Sequence, residues 1–126
     1  MTATPNLRPH RLPRKKILRG RNAFQLLKAE GHRKAGKLLV CNFLEISGHD
    51  QVAFILSKRC GPAVVRNRIR RRLKEAFRHC RQDILSDRVV VWIARAPAAA
   101  ATYAELEAEM HELLTKSKLW RAKDGF

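Results

Sequence analysis

A chain of 126 residues suits one domain, and 45% hydrophobic residues supply a core that a disordered chain would lack. No apolar run is long enough to span a membrane, and the N-terminus has no apolar signal region, so a soluble cytoplasmic protein is expected. With 27 Lys+Arg against 11 Asp+Glu the net charge is +16, an imbalance that costs self-repulsion and points to a polyanionic partner.

Residues 1–17 are polar, basic and punctuated by proline, and read as a flexible N-terminal arm. Residues 22–31, NAFQLLKAEG, predict a short helix capped by Asn22 and ended by Gly31, with Phe24 and Leu27 on one face. Residues 37–47, KLLVCNFLEIS, predict a strand, GHD a turn, and residues 51–57, QVAFILS, its hairpin partner. On the first of these strands Phe43 shares a face with Leu39, Cys41 and Glu45. That mixed composition marks it as the partly exposed floor of a cleft, with Leu38, Val40, Leu44 and Ile46 on the more apolar side.

The loop KRCGP precedes the most highly charged segment of the chain. From Arg66 to Arg81 there are eight Lys or Arg in sixteen positions. At helical spacing Val65, Ile69, Leu73, Ala76 and Cys80 form one apolar stripe, with Phe77 at its border. Asn67, Arg70, Arg71, Lys74, Arg78 and Arg81 gather opposite, flanked by Arg68 and Arg72. Solvated helix faces normally mix signs, because like charges at i,i+4 destabilise the helix. Here only Glu75, four residues after Arg71, offers relief. Arginine predominates over lysine, and its planar fork suits phosphate oxygens and base stacking. The predicted role of this face is nucleic-acid binding.

Next come RVVVWIAR (88–95), apolar enough for a central strand buried on both faces, and APAAAA, a linker. The last helix begins at a capping box of Thr102 and Glu105, and Tyr103, Leu106, Met110, Leu113 and Leu114 make its apolar stripe. Glu105, Glu107, Glu109 and Glu112 occupy its other positions and are expected to face away from the polyanion. Residues 119–126 read as a short, loose C-terminal tail in which Trp120 can pack. The fold class is thus α+β: a single-domain, two-layer sandwich with a small mixed sheet of about four strands and three helices, in the order αββ(β)αβα. The folded domain covers residues 18–118.

No catalytic constellation is present. Cys41, Cys60 and Cys80 have no metal-ligand spacing, the five histidines are scattered, and there is no phosphate-binding glycine loop. The expected catalytic and metal residues are therefore none. A DNA-binding helix would need a helix-turn-helix or a dimer seam, and neither is found.

The segment SKRCGPAVVRNRIRRRLKEAFR (57–78) closely resembles the signature of the bacterial ribonuclease P protein family, in which an Arg-Asn-Arg triplet opens a basic helix. Here the triplet is Arg66, Asn67 and Arg68. The resemblance extends to Phe24 and Gly31 in the first helix, to VVVWIARAP with Arg95, and to the amphipathic helix over 103–118. Two positions depart from it. Pro62 stands where the family often has Asn, and Lys28 where it often has a second aromatic.

The resemblance implies a left-handed βαβ crossover, a geometry that strand sequence alone does not predict. It implies a protein subunit that assists a catalytic RNA in removing the 5′ leader from precursor tRNA, an endoribonuclease whose hydrolysis is carried by RNA with Mg²⁺. Its partners would be the ribonuclease P catalytic RNA and the precursor tRNA leader, with no membrane and no obligate protein partner. The catalytic-RNA-binding residues would be Arg66, Asn67, Arg68, Arg70, Arg71, Arg72 and Lys74. The leader-binding residues would be Phe24, Phe43, Lys58, Arg59 and Arg95. A ribosomal or general RNA-binding protein would explain the charge but not the triplet and its loop.

Overall fold

The structure, a computed structural model, describes Leu27, Glu30 and residues 31–121. Phe24, Asn22, Lys28, the 1–17 arm and residues 122–126 lie outside the described residues. The described elements are β1 (His32–Ala35), β2 (Leu39–Glu45), β3 (Gln51–Leu56), α1 (Ala63–Cys80), β4 (Arg88–Ala94) and α2 (Tyr103–Lys116). Leu27 and Glu30 are helical, and the Gly31 N–H donates to the Leu27 carbonyl at 2.7 Å where that helix ends.

The four strands form one mixed sheet in the order β1-β2-β4-β3. β4 is antiparallel to β2 and parallel to β3, so β3, α1 and β4 make a βαβ unit. The expected central strand is central, and five of the seven β4 residues are buried. The expected β2–β3 hairpin does not form, because β4 lies between the two strands. The strand with the longest unbroken apolar run gains most from being covered on both faces, and so takes the inner position. The 46–50 loop instead passes over the start of β4. The Ile46 N–H donates to the Asp87 carbonyl at 2.9 Å and the Gly48 N–H to Asp87 Oδ1 at 2.9 Å. Asp50 Oδ1 in turn accepts from the Asp87 N–H at 2.7 Å. β1 is an edge strand whose four residues are all exposed. Its HRKA sequence carries no apolar alternation, which suits an edge that must not attract other strands.

One face of the sheet holds the main core. Leu39, Cys41, Val90 and Trp92 pack there against Ile69, Leu73, Phe77 and Cys80 of α1 and Leu106, Met110, Leu113 and Leu114 of α2. Phe77 meets the Trp92 ring edge-on, with centroids 6.3 Å apart. The other face is thinner: Leu27, Ala53, Val89 and Val91 are buried together, with Leu44, Ile46 and Ile93 partly covered. The Leu39–Cys41–Phe43 face is therefore the covered one, the reverse of the sequence expectation. Apolar content misled because the small Cys41 thiol packs as well as a hydrocarbon.

Two further segments are more ordered than expected. Ala96–Ala100, read as a linker, coils into 3₁₀ turns with Ala98 fully buried, its small side chains letting the backbone lie close to α1. Beyond α2, Leu119 is buried and Trp120 bridges to Ile84, so the start of the tail is docked.

The capping box of α2 forms as expected. Glu109, expected to face away, instead turns toward the β1–β2 connection. Its carboxylate accepts from the N–H groups of Lys37 (3.2 Å), Leu38 (2.6 Å) and Leu39 (2.6 Å). A Cβ on Gly36 would stand 2.5 Å from that carboxylate. Gly36→Ala is expected to displace Glu109 and cost about 1–3 kcal/mol, the penalty of leaving its donors unpaired. Urea denaturation checks this. The loss should largely vanish in a Glu109→Ala background, and additive losses would refute the coupling.

Candidate nucleic-acid interface

α1 forms because an apolar stripe recurs at helical spacing. Ile69, Leu73, Ala76, Phe77 and Cys80 are buried and Val65 is partly so. Its start is set by Gly61, whose φ of +123° favours glycine, and by Pro62, whose φ of −67° suits a helix start. Pro62 provides no side-chain cap, and the first turn contains no acid. The leading N–H groups and the positive end of the helix dipole thus add to the positive charge of the arginines.

The opposite side of α1 carries the predicted catalytic-RNA-binding residues. Asn67, Arg68, Arg71 and Lys74 are exposed, and Arg66, Arg70 and Arg72 are half-buried. Asn67 Oδ1 accepts from Arg70 at 2.8 Å, which braces that guanidinium and leaves the Asn67 amide N–H donors for a ligand. Arg66 Nε is buried and has no hydrogen-bond partner. Arg72 donates to the Ala101 carbonyl at 2.8 Å and so ties α1 to the start of α2. Glu75 does not pair with Arg71. It binds Arg78 through both oxygens and His79 at 2.9 Å, and these hydrogen bonds, Arg78 first, hold its carboxyl below the usual carboxylate range. Among the described residues no acid pairs with the triplet end of the helix.

Three of the five predicted leader-binding residues converge beside that end. Lys58 and Arg59 occupy a short 3₁₀ turn after β3, and the Cys60 thiol hydrogen-bonds the carbonyls of Ala94 (3.5 Å) and Arg95 (3.7 Å). This joins the turn to the end of β4. Arg95 is exposed and donates to the Gly36 carbonyl at 2.7 Å. Phe43 is not part of this group: it lies at the other end of β2, paired with Val90 and His32, while Leu39 pairs with Ala94. The face that does lead to the cations is the thinner one. Ile93 on β4 pairs with Ile55 on β3 and Val40 on β2, and Ile55 is exposed. Asn42, two residues along, has a buried Oδ1 with no partner. The sequence reading missed Ile55, Ile93 and Asn42. The one available signal was a polar Asn interrupting the more apolar face of β2.

All three described cysteines are buried and free, and burial pushes the Cys41 and Cys80 thiols up to about 12, far from thiolate at neutral pH. Among the described residues no three His, Cys, Asp or Glu side chains group to hold a metal ion, and no helix is long and apolar enough to cross a membrane. The surface is built for binding anions: a row of guanidinium groups, an uncapped helix start and a half-open apolar sheet face.

Such a two-layer α+β fold with one predominantly basic helix face is that of a small protein suited to binding RNA. The family model described as Ribonuclease P matches residues 12–118, and the chain belongs to that family. The ribonuclease P protein component of Acidothermus cellulolyticus is 38% identical over 107 residues, covering 82% of this chain and 88% of that protein. That of Alkaliphilus metalliredigens is 34% identical over 100 residues, covering 76% and 87%. The Staphylococcus aureus RNase P protein structure superposes with a TM-score of 0.78 at 26% identity, covering 84% of this chain and 98% of that one. The family supplies the RNA-binding protein subunit of a tRNA-processing endoribonuclease, and the general RNA-binding alternative gives way to it.

Glu75 gives a pH test of the α1 surface. Its depressed pKa means that its bonds contribute stability above its unfolded value near 4.5 and lose it as pH falls through the folded value. Glu75→Gln should therefore flatten the fall of thermal midpoint below pH 4.5. An unchanged acid limb would exclude the Arg78–Glu75–His79 group as a contributor.

Proposed function

We propose that α1 holds the catalytic RNA of ribonuclease P while the neighbouring cation group and half-open sheet face hold the single-stranded 5′ leader of precursor tRNA. The observation that carries this reading is the unneutralised start of α1, where Arg66, Asn67 and Arg68 stand beside Lys58, Arg59 and Arg95. The exposed Arg68, Arg71 and Lys74 pair with phosphates of the folded RNA, and the Asn67 amide adds directional donors. Arg70 is held in place by Asn67 and presents its remaining N–H groups alongside.

The leader takes the neighbouring route. A single strand binds where a basic groove tracks its backbone and an apolar or aromatic surface meets its bases. Lys58, Arg59 and Arg95 supply the charge, and Ile55 and Ile93 the apolar floor, with Asn42 as a polar contact. Phe24, shortly before Leu27 in the chain, is the aromatic assigned to this strand. Its Phe43 counterpart is left out because it faces the other layer.

Hydrolysis in this reading belongs to the RNA, and Mg²⁺, held by the RNA, supplies the activated water. The protein side chains bind, orient and neutralise charge. The left-handed crossover of the family is assigned to the β3–α1–β4 unit, supported by the close superposition on a relative's structure. A reducing, cytoplasmic setting agrees with three free, buried thiols.

Reconstitution tests the function. Mixed with a bacterial ribonuclease P RNA and a precursor tRNA at low Mg²⁺, the protein should restore release of the 5′ leader that the RNA alone does not sustain. Arg66→Ala with Arg68→Ala should weaken binding to the catalytic RNA about tenfold or more at moderate salt and leave the thermal midpoint in place. Each phosphate that the double variant no longer neutralises should also lower the log–log salt slope by roughly 0.7–0.9. Unchanged affinity and slope would remove the triplet from the interface.

A further inference from the structure

Phe43 stands apart from the cation group, yet its surroundings are organised. Its ring lies 5.3 Å from that of His32, with the planes tilted by 35°. Together they form one wall of a cavity of about 190 Å³ between the end of β2 and the residues that follow α2. Ser117 and Leu119, both buried, make its floor. Arg88, the exposed Lys118 and the exposed Glu45 complete the lining; the Glu45 carboxylate lies 3.6 Å from Arg88, whose Nη1 also donates to the Ser86 carbonyl at 2.8 Å.

Two features of the cavity stand out beside the part that their backbones play in ending α2. Ser117 is the buried polar residue of the described chain, only 8% exposed, and its Oγ has no hydrogen-bond partner. The Cys41 thiol beside it offers at most a weak bond, which does not satisfy a hydroxyl. An unsatisfied buried hydroxyl is costly and calls for a ligand or a reason. Lys118 has a left-handed φ of 58°, at the position after a helix where glycine is usual. That conformation is uncommon for a lysine and puts a cation beside the cavity.

The chemistry of the lining selects one class of occupant. A cavity of about 150 Å³ holds one benzene-sized ring, so this one takes a single heteroaromatic base. Aromatic rings stack on bases of any sequence. A hydroxyl can donate to or accept from a base edge, and a carboxylate can accept from an exocyclic amine. Lysine and arginine in the lining suit a phosphate. β1, with Arg33 and Lys34 exposed, runs from this cavity toward Lys37 and Arg95, and gives a bound strand a basic edge to follow.

We propose that this cavity is a second nucleotide subsite, which takes one unstacked base of a bound RNA strand against the Phe43–His32 wall with its edge on Ser117 and its phosphate at Lys118 and Arg88. The inference rests on the RNA-binding reading above and extends it to the helix-covered layer.

The test is an NMR titration of the full chain with each of the four nucleoside 5′-monophosphates, with ribose 5-phosphate as the probe lacking a base. At least one nucleotide should shift the signals of His32, Phe43, Ser117 and Leu119 saturably, and ribose 5-phosphate should not. Phe43→Leu and Ser117→Ala should each weaken that binding about fivefold or more, the lower end of what base–aromatic stacking contributes. A merely structural Ser117 would let Ser117→Ala alter the melting temperature with nucleotide affinity unchanged. Equal shifts with ribose 5-phosphate, shifts confined to α1, or unchanged affinity in both variants would overturn the subsite.

A second arm asks which RNA supplies the base. p-Benzoylphenylalanine at position 43 should crosslink either the catalytic RNA or the precursor tRNA in the reconstituted complex. An active complex with no crosslink to either would overturn the proposal. Failure of the protein to support cleavage while the nucleotide titration succeeds would count against the ribonuclease P role and leave the subsite standing.

Discussion

The packing of the α1 apolar stripe against Trp92 and its neighbours is what makes the rest of the molecule possible. A helix with this density of like charge is destabilised by its own surface, because almost every i,i+4 neighbour on that surface repels. Burying Ile69, Leu73, Phe77 and Cys80 offsets the repulsion. A fully buried side chain of this size contributes about 1.5–3 kcal/mol, several times the penalty of one like-charged pair. The core can therefore hold a strongly basic face in a shape that the face would not adopt unaided. Glu75 relieves the far end of the helix and leaves the start fully charged.

The interface depends on the same core in a second way. β3 delivers the chain to α1, and the Lys58–Cys60 turn is fixed to the end of β4 by the Cys60 thiol. Arg95 follows directly from the most deeply buried strand. Lys58, Arg59 and Arg95 are thus mounted at the ends of paired strands, where position is set by backbone hydrogen bonds. Arginine placed this way loses less side-chain freedom on binding than one on a free loop.

Much of this was legible in the sequence where one physical signal dominated. The α1 stripe, the capping box at Thr102 and Glu105 and the buried character of β4 followed from periodicity and composition, and each is present. The triplet and its loop identified the family. What could not be read was decided by partners distant in the chain. β1 is held by its neighbour β2 and has no apolar pattern of its own. The β2–β3 separation depends on β4, which the chain reaches only after the whole of α1. The choice of buried face on β2 depended on which face met the two helices, and a cysteine in place of a larger aliphatic residue hid the answer. Glu109 looked like one more surface acid, and only its position over Gly36 shows that it anchors β2. Within the candidate site, the basic residues were visible because charge needs no partner to be recognised. The apolar floor was not, because exposure of Ile55 and Ile93 is a property of the assembled sheet.

The central place of β4 also sets the order in which a nascent chain can fold. β2 finds its first neighbour, β1, already made, but β3 has none, and it must wait for a strand that ends at Ala94. At about 5–20 residues per second that delay is on the order of seconds, long compared with the microseconds in which a hairpin closes. During the delay β3 is unpaired and one edge of β2 is open, and the basic segment of α1 is already present between them and β4. Its charge keeps such chains apart, so the feature that serves the finished protein also protects the unfinished one from aggregation.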